Sequence, residues 1–183
     1  MGTSLLNRIR EDRQSEDYYA TPEEATRLFL DNYRGLKELK NIWEPACGEG
    51  HMSEVLKDYL LEVKSSDLID RGYGETMDFI ESDIHFPGSI ITNPPFKIAE
   101  TFLKKGLEII GENEKVIFLL RLQFLESSSR KPLLENHLSE IYIHSRRIGC
   151  GRNGDFSSVG KAICYAWFVF QKDFKEAPKI YWI

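Results

Sequence analysis

The chain is predicted to fold as a three-layer, Rossmann-like α/β domain with a mostly parallel sheet and an antiparallel strand at one edge. Three observations carry that expectation. Short apolar runs alternate with segments of helical periodicity along most of the length, the pattern of βαβ units. The first such run enters a glycine turn that opens a helix, and a later one stops on a pair of prolines. The chain has 183 residues, 42% of them hydrophobic and 29% charged, which is ordinary globular composition and the size of about one domain.

Residues 1 to 20 are polar, lack apolar periodicity, and read as an arm ahead of a single domain over 21–183. Thr21-Pro22-Glu23-Glu24 has the form of a helix start, with threonine as N-cap and proline at the first helical position. Ala25, Leu28, Phe29, Tyr33, Leu36 and Leu39 then recur at helical spacing and predict a helix to about Lys40. A strand at 41–44 runs into the turn Pro45-Ala46-Cys47-Gly48-Glu49-Gly50. A helix follows from about Met52 to Leu60, and 61–68 reads as a strand ending at Asp67. Gly72 and Gly74 mark a loop. Gly88-Ser89-Ile90-Ile91-Thr92 is a buried strand halted at Asn93-Pro94-Pro95. A helix over 97–110, a strand over 115–120, a helix around 129–136 and a strand over 139–147 continue the alternation. The loop 149–160 leads into the β-prone segment 162–170, and a last short strand is expected at 179–182. The final two strands are joined without a helix and are expected to pair antiparallel at the edge.

Several function classes are disfavoured by composition. No apolar run approaches the roughly 18 residues of a membrane-spanning helix. The charged N-terminal stretch has no apolar core of signal-peptide length, and Cys47, Cys150 and Cys164 form no CxxC pair. Both point to a reducing cytoplasm. His51, His85, His137 and His144 show no ligand spacing, so no metal is expected. The net charge is −5, but residues 1–100 carry −9 and residues 121–161 carry +3. Such acidity argues against indiscriminate coating of nucleic acid and leaves room for one locally basic face. Gly154 to Lys161 approaches a phosphate loop but has one residue too many between its glycines.

In an open α/β sheet a ligand sits beyond the carboxyl ends of the strands. Gly48 and Gly50 let the backbone of the first turn pass close to a ligand, where a Cβ would obstruct it. Asp67, 17 residues past Gly50, stands where an acid that hydrogen-bonds a ribose diol belongs. Glu44 just before the turn would repel a pyrophosphate and attract an ammonium. A ligand with a cationic amino-acid end, such as S-adenosylmethionine, therefore suits this turn better than a dinucleotide.

Asn93-Pro94-Pro95-Phe96 forms a stiff corner, since two prolines fix φ twice and remove two donors. It presents an amide oxygen, the Pro94 carbonyl and an aromatic face together. That trio suits a planar amino group: two acceptors take its two N–H bonds while Phe96 stacks on its ring.

Glu44-Pro45-Ala46-Cys47-Gly48-Glu49-Gly50 and Asn93-Pro94-Pro95-Phe96 together resemble the S-adenosylmethionine-dependent adenine-N-6 DNA methyltransferases of the NPPF/NPPY class, in the gamma order of motifs. The resemblance runs from about Tyr18 to Phe170. It implies a methyltransferase fold and makes Asn93, Pro94, Pro95 and Phe96 the catalytic residues. By the same resemblance Tyr18-Tyr19-Ala20-Thr21-Pro22 is the N-terminal cofactor motif that closes over the methionine moiety, with Tyr19 and Thr21 as contacts. Glu44, Pro45, Ala46, Cys47, Gly48, Gly50, Asp67 and Asn93 line the cofactor, and Asp78 with Phe79 holds its adenine, Asp83 being the competing acid. Phe156 falls where the family places a second aromatic against the target base, and Arg146, Arg147 and Arg152 are candidate phosphate contacts. The implied partner is nucleic acid, DNA first, with its adenine flipped out or single-stranded. Longer members carry a target-recognition domain, so sequence reading here is expected from short loops, a dimer partner or another protein. The alternatives are an RNA adenine methyltransferase, a protein glutamine N-5 methyltransferase, and a non-catalytic cofactor-binding module.

Overall fold

The computed structural model describes residues 19–59, 62–152 and 163–183. Among them, eight strands form one sheet. In chain order these are β2 (Asn41–Glu44), β3 (Glu62–Asp67), β4 (Glu75–Thr76), β5 (Ser89–Thr92), β6 (Lys115–Arg121), β7 (Leu138–Ile143), β9 (Tyr165–Gln171) and β10 (Lys179–Trp182). Their spatial order is β10-β7-β9-β6-β5-β2-β3-β4. A separate two-stranded ribbon joins β1 (Tyr19–Ala20) to β8 (Gly151–Arg152). The helices are α1 (Glu23–Asn32), α2 (His51–Tyr59), α3 (Ala99–Ile109) and α4 (Lys131–His137).

Period-two alternation on the central strands makes the layers. Ile117 and Leu119 of β6 join Ile42, Ile91 and Trp167 in a core with α1 and α2, through Phe29, Leu30, Val55 and Leu56. Val116, Phe118 and Leu120 face the other way, against Phe102, Leu103 and Leu107 of α3, with Leu133 and Leu134 of α4 at the margin. Helices thus cover both faces, as a parallel sheet requires.

The placement of the antiparallel strand differs from expectation. β9 is antiparallel to both neighbours, but it lies inside the sheet between β6 and β7, and the edge strand β10 runs parallel to β7. Side-chain chemistry explains the order. Ala166, Trp167, Phe168, Val169 and Phe170 are apolar on both faces and buried, which demands an interior position. β10 carries Lys179 and leaves Ile180 and Trp182 exposed, which an edge tolerates.

Other departures are local. α1 stops at Asn32 and does not reach Lys40: the Asn32 Nδ2 donates to the Leu28 carbonyl at 2.8 Å, and Tyr33 turns into extended backbone with its ring stacked on Phe29. Gly35 makes room, since a Cβ there would stand 2.6 Å from the Tyr33 hydroxyl. Pro22, not Thr21, occupies the N-cap position, and no side chain caps that helix. β7 ends at Ile143, short of residue 147, and Tyr19–Ala20, read as the end of the arm, pair with Arg152 and Gly151. No helix among the described residues is long and apolar enough to cross a membrane.

Candidate active site

The chain leaves β2 towards β3 on one side and returns through β5 on the other, so a crevice opens between the carboxyl ends of β2 and β5. It is a cleft open to solvent.

Glu44 ends β2 and is only 2% exposed. The Ser53 hydroxyl of α2 donates to its Oε2, and Ser53 in turn meets the Ser65 hydroxyl at 2.6 Å. Burial lifts the Glu44 carboxyl to about 8, with the Ser53 hydrogen bond opposing and the charge of Asp67 adding. The glycine turn is pinned from beneath. Asp67 Oδ2 accepts the Gly48 N–H at 2.8 Å, and the Cys47 N–H reaches the Ser66 carbonyl at 3.0 Å. Gly48 and Gly50 have φ of 55° and 88°. At Gly50 the obstructed space belongs to the protein: a Cβ would stand 2.6 Å from the Tyr73 ring. Both glycines shape the turn and neither lines the cleft.

Asp67 Oδ1 also accepts the Ile69 N–H at 3.0 Å, which leaves each oxygen a further lone pair for hydroxyl donors. Asp78 lines the cleft and Asp83 does not; Asp78 Oδ1 accepts the Ile80 N–H at 3.0 Å. Phe79 is held edge-on to Trp43, with centroids 5.3 Å apart, and lies 4.9 Å from Phe102.

The Asn93 amide is held in one orientation. Its Nδ2 donates to the Tyr19 carbonyl at 2.9 Å and to Thr21 Oγ1 at 3.1 Å. A backbone carbonyl only accepts, so the group facing Tyr19 is the NH2. The Asn93 Oδ1 is buried and accepts no hydrogen bond among the described residues. Thr21 therefore serves the cleft and not the helix cap. Beside it the Pro95 carbonyl accepts the Ile98 N–H at 3.1 Å, while the Pro94 carbonyl takes none of the hydrogen bonds among the described residues. The Phe96 ring lies 5.7 Å from Tyr19 and 5.9 Å from Tyr165, and the Arg121 guanidinium stands over it at 4.4 Å.

Tyr19, Thr21, Glu44, Pro45, Ala46, Cys47, Asp67, Asp78, Phe79, Asn93, Pro94, Pro95 and Phe96 are thus brought together in one cleft. Burial pushes the Cys47 thiol up to about 12, so it is packing and not a nucleophile. Arg146 and Arg147 are exposed after β7 and outside the cleft. The backbone of Arg152 pairs with Tyr19; its side chain and Phe156 lie outside the described residues. Sequence reasoning missed several lining residues. His51 and Met52 open α2 directly after the turn, and Leu68 and Ile69 follow Asp67, so adjacency to the motifs was the available signal. Arg71, Met77 and Phe102 carried no signal of their own. Among the described residues no group of three or more His, Cys, Asp or Glu could hold a metal.

No protein-family model matches the chain, and no curated protein matches it. Solved structures do. A type I restriction-modification methyltransferase subunit from Streptococcus thermophilus superposes with a TM-score of 0.65 at 15% identity, over 87% of this chain and 46% of its own. A candidate RNA methyltransferase from Pyrococcus horikoshii gives 0.62 at 17% identity, over 85% of this chain and 87% of its own. A candidate class I S-adenosylmethionine-dependent methyltransferase from Listeria monocytogenes gives 0.59 at 15% identity, over 89% and 64%. The chain thus spans less than two thirds of the Listeria protein and under half of the Streptococcus subunit. Sheet order, crevice and superpositions together give this chain the class I S-adenosylmethionine-dependent methyltransferase fold.

Proposed function

We propose that the chain transfers a methyl group from S-adenosylmethionine to the exocyclic amino nitrogen of adenine in nucleic acid, most directly DNA, in a reducing cytoplasm. The observation that carries this reading is the Asn93 amide, whose NH2 is spent on Tyr19 and Thr21 and whose buried Oδ1 has no donor among the described residues. A buried acceptor without a partner is costly, by about 1–3 kcal/mol, and calls for a donor. An adenine amino group brings two N–H bonds, one for Asn93 Oδ1 and one for the Pro94 carbonyl.

The cleft suits the cofactor. Glu44 would meet the ammonium, the free lone pairs of Asp67 the ribose hydroxyls, and Asp78 with Phe79 the adenine. When bound, S-adenosylmethionine supplies an electrophilic methyl group. The two acceptors on Asn93 and Pro94 draw the amine protons and turn its lone pair outward, worth roughly 1.5–3 kcal/mol each as positive charge develops. Alignment of amine and methyl supplies more, up to about 7–11 kcal/mol. The methylated amine, cationic while it keeps both protons, is a strong acid and would lose one to solvent once it leaves the two acceptors, so no tuned side-chain base is required.

Likeness to a restriction-modification subunit supports DNA, and likeness to an RNA methyltransferase keeps RNA as the second reading. Target recognition from a partner chain or a second copy belongs to the same proposal. The test is tritium transfer from labelled cofactor to unmethylated DNA, total RNA and a protein extract, with wild type and Asn93→Ala. Label in N-6-methyladenine, lost at least 1,000-fold in the variant while cofactor affinity stays within about threefold, supports the reading. Undiminished transfer by Asn93→Ala removes the catalytic assignment, and label only in protein replaces adenine with glutamine.

A further inference from the structure

We propose that Arg121 is the phosphate ligand of the target nucleotide, so that the site takes adenine within a phosphodiester chain in preference to a free nucleoside or an amide side chain. The inference rests on the adenine reading above and names the feature of that substrate the site selects.

Arg121 is the last residue of β6, whose neighbour β5 leads into Asn93, with Thr92 paired to Phe118. It therefore sits at the same carboxyl edge as the amide. Alternation along β6 directs Ile117, Leu119 and Arg121 to the face of α1, where Tyr19 and Phe96 also lie. The guanidinium stands 4.4 Å over the Phe96 ring, three residues past Asn93. It is not itself among the residues lining the cleft but stands behind Phe96, which is.

The position is electrostatically incomplete. Val116 to Leu120 are all buried, and Arg121 ends that run partly buried itself. Among the described residues no ion pair reaches it, and its Nε is buried without an acceptor. Its polar neighbours are the Tyr165 hydroxyl, to which it is hydrogen-bonded, and the Cys150 thiol; both ionise less readily than usual because they are buried, so neither supplies a countercharge. A guanidinium over an aromatic face directs the N–H donors not taken by Tyr165 outward in its own plane, where phosphate oxygens can accept them. Arg130 makes the contrast. It also stands over a ring, that of Phe124, but its donors are spent on the carbonyls of Gln123, Phe124 and Glu126. Arg130 is structural, whereas Arg121 has no anionic partner among the described residues.

The test uses pools of oligodeoxynucleotides with one adenine in randomised flanks. The phosphate on its 5′ or 3′ side is either native or an uncharged methylphosphonate. Methyl transfer, and anisotropy of a labelled pool with S-adenosylhomocysteine present, are read for wild type, Arg121→Gln and Arg121→Lys, with cofactor affinity as the control for folding. A charge-assisted contact predicts a loss of about ten- to hundredfold for wild type when one flanking phosphate is neutralised. Arg121→Gln should show a similar loss on the native pool and no further loss on that linkage, with Arg121→Lys between. Losses that simply add, or a wild type indifferent to both linkages, overturn the assignment and leave Arg121 as a support for Phe96. If wild type methylates the native pool while losses add, only this inference falls. Phosphate-dependent, Arg121-dependent binding without methylation would instead retire the adenine reading and keep only the contact of Arg121 with a nucleic-acid phosphate, and absence of both retires the two together.

Discussion

Raising the pH from 6 to 8 should tighten cofactor binding about fiftyfold, and Glu44 sets the number. Its carboxyl is buried at the end of β2 and lifted to about 8. At pH 7 only about one molecule in ten carries it ionised, and at pH 6 about one in a hundred. An ammonium ligand needs the ionised form, so affinity rises about tenfold per pH unit and levels off near 8, where the ligand's own amine begins to titrate. Binding at pH 7 should release close to one proton. Calorimetry with S-adenosylhomocysteine in buffers of different ionisation enthalpy counts it. Glu44→Gln should bind roughly 100-fold more weakly or worse, since one partner of a buried pair is gone, and its affinity should be flat from pH 6 to 7.5. Stability moves the other way. The folded carboxyl lies above its ordinary 4.5, so its contribution is full below about 4.5 and is lost as pH rises through about 8. The free Glu44→Gln protein should therefore melt higher than wild type at pH 8 and lose that advantage as pH falls below about 4.5. Equal affinity at pH 6 and 8 with no proton released would refute the placement of Glu44 opposite an ammonium.

Three further outcomes follow from the geometry. Thr21→Val keeps the shape but strands one N–H of the Asn93 amide; kcat should fall about ten- to hundredfold with cofactor affinity within about threefold, read by steady-state kinetics. Gly50→Ala forces a Cβ onto the Tyr73 ring at a φ of 88° and should cost at least about 2 kcal/mol, seen as a Tm lower by roughly 4–8 °C. Cys47 and Cys150 are buried with thiols pushed up to about 12, so alkylation at pH 7.5 in the native state should reach partly exposed Cys164 first, a ranking that peptide mapping checks.

Legibility followed the range of the interactions involved. β2, β5, β6 and β10 begin and end within about a residue of their expected bounds, because a short apolar run bounded by glycine, proline or charge is a local signal. The glycine turn, Asp67 and the proline corner share a cleft because each ends a parallel strand at one edge of the sheet. What stayed hidden was decided across long separations. The interior place of β9 depends on which strands it pairs with, not on its own pattern. The helix-start motif at Thr21 reads identically whether its hydroxyl caps the helix or accepts from a side chain 72 residues away. Arg121 looks like an ordinary charge closing a strand until the Phe96 ring is seen beneath it.

The ribbon of β1 and β8 has a kinetic meaning. Asn93 takes its orientation from Tyr19 and Thr21, and Tyr19 is held by a pairing only two residues long, by its ring against Phe96 and by the chain running on into α1. Such a pairing opens at far lower free energy than the eight-stranded sheet. Opening of that ribbon would release the aimed amide without global unfolding. A ligand or a neighbouring chain that grips residues 19–21 or 151–152 would change the fraction of competent molecules, and with it the turnover rate, while the melting temperature stays where it was.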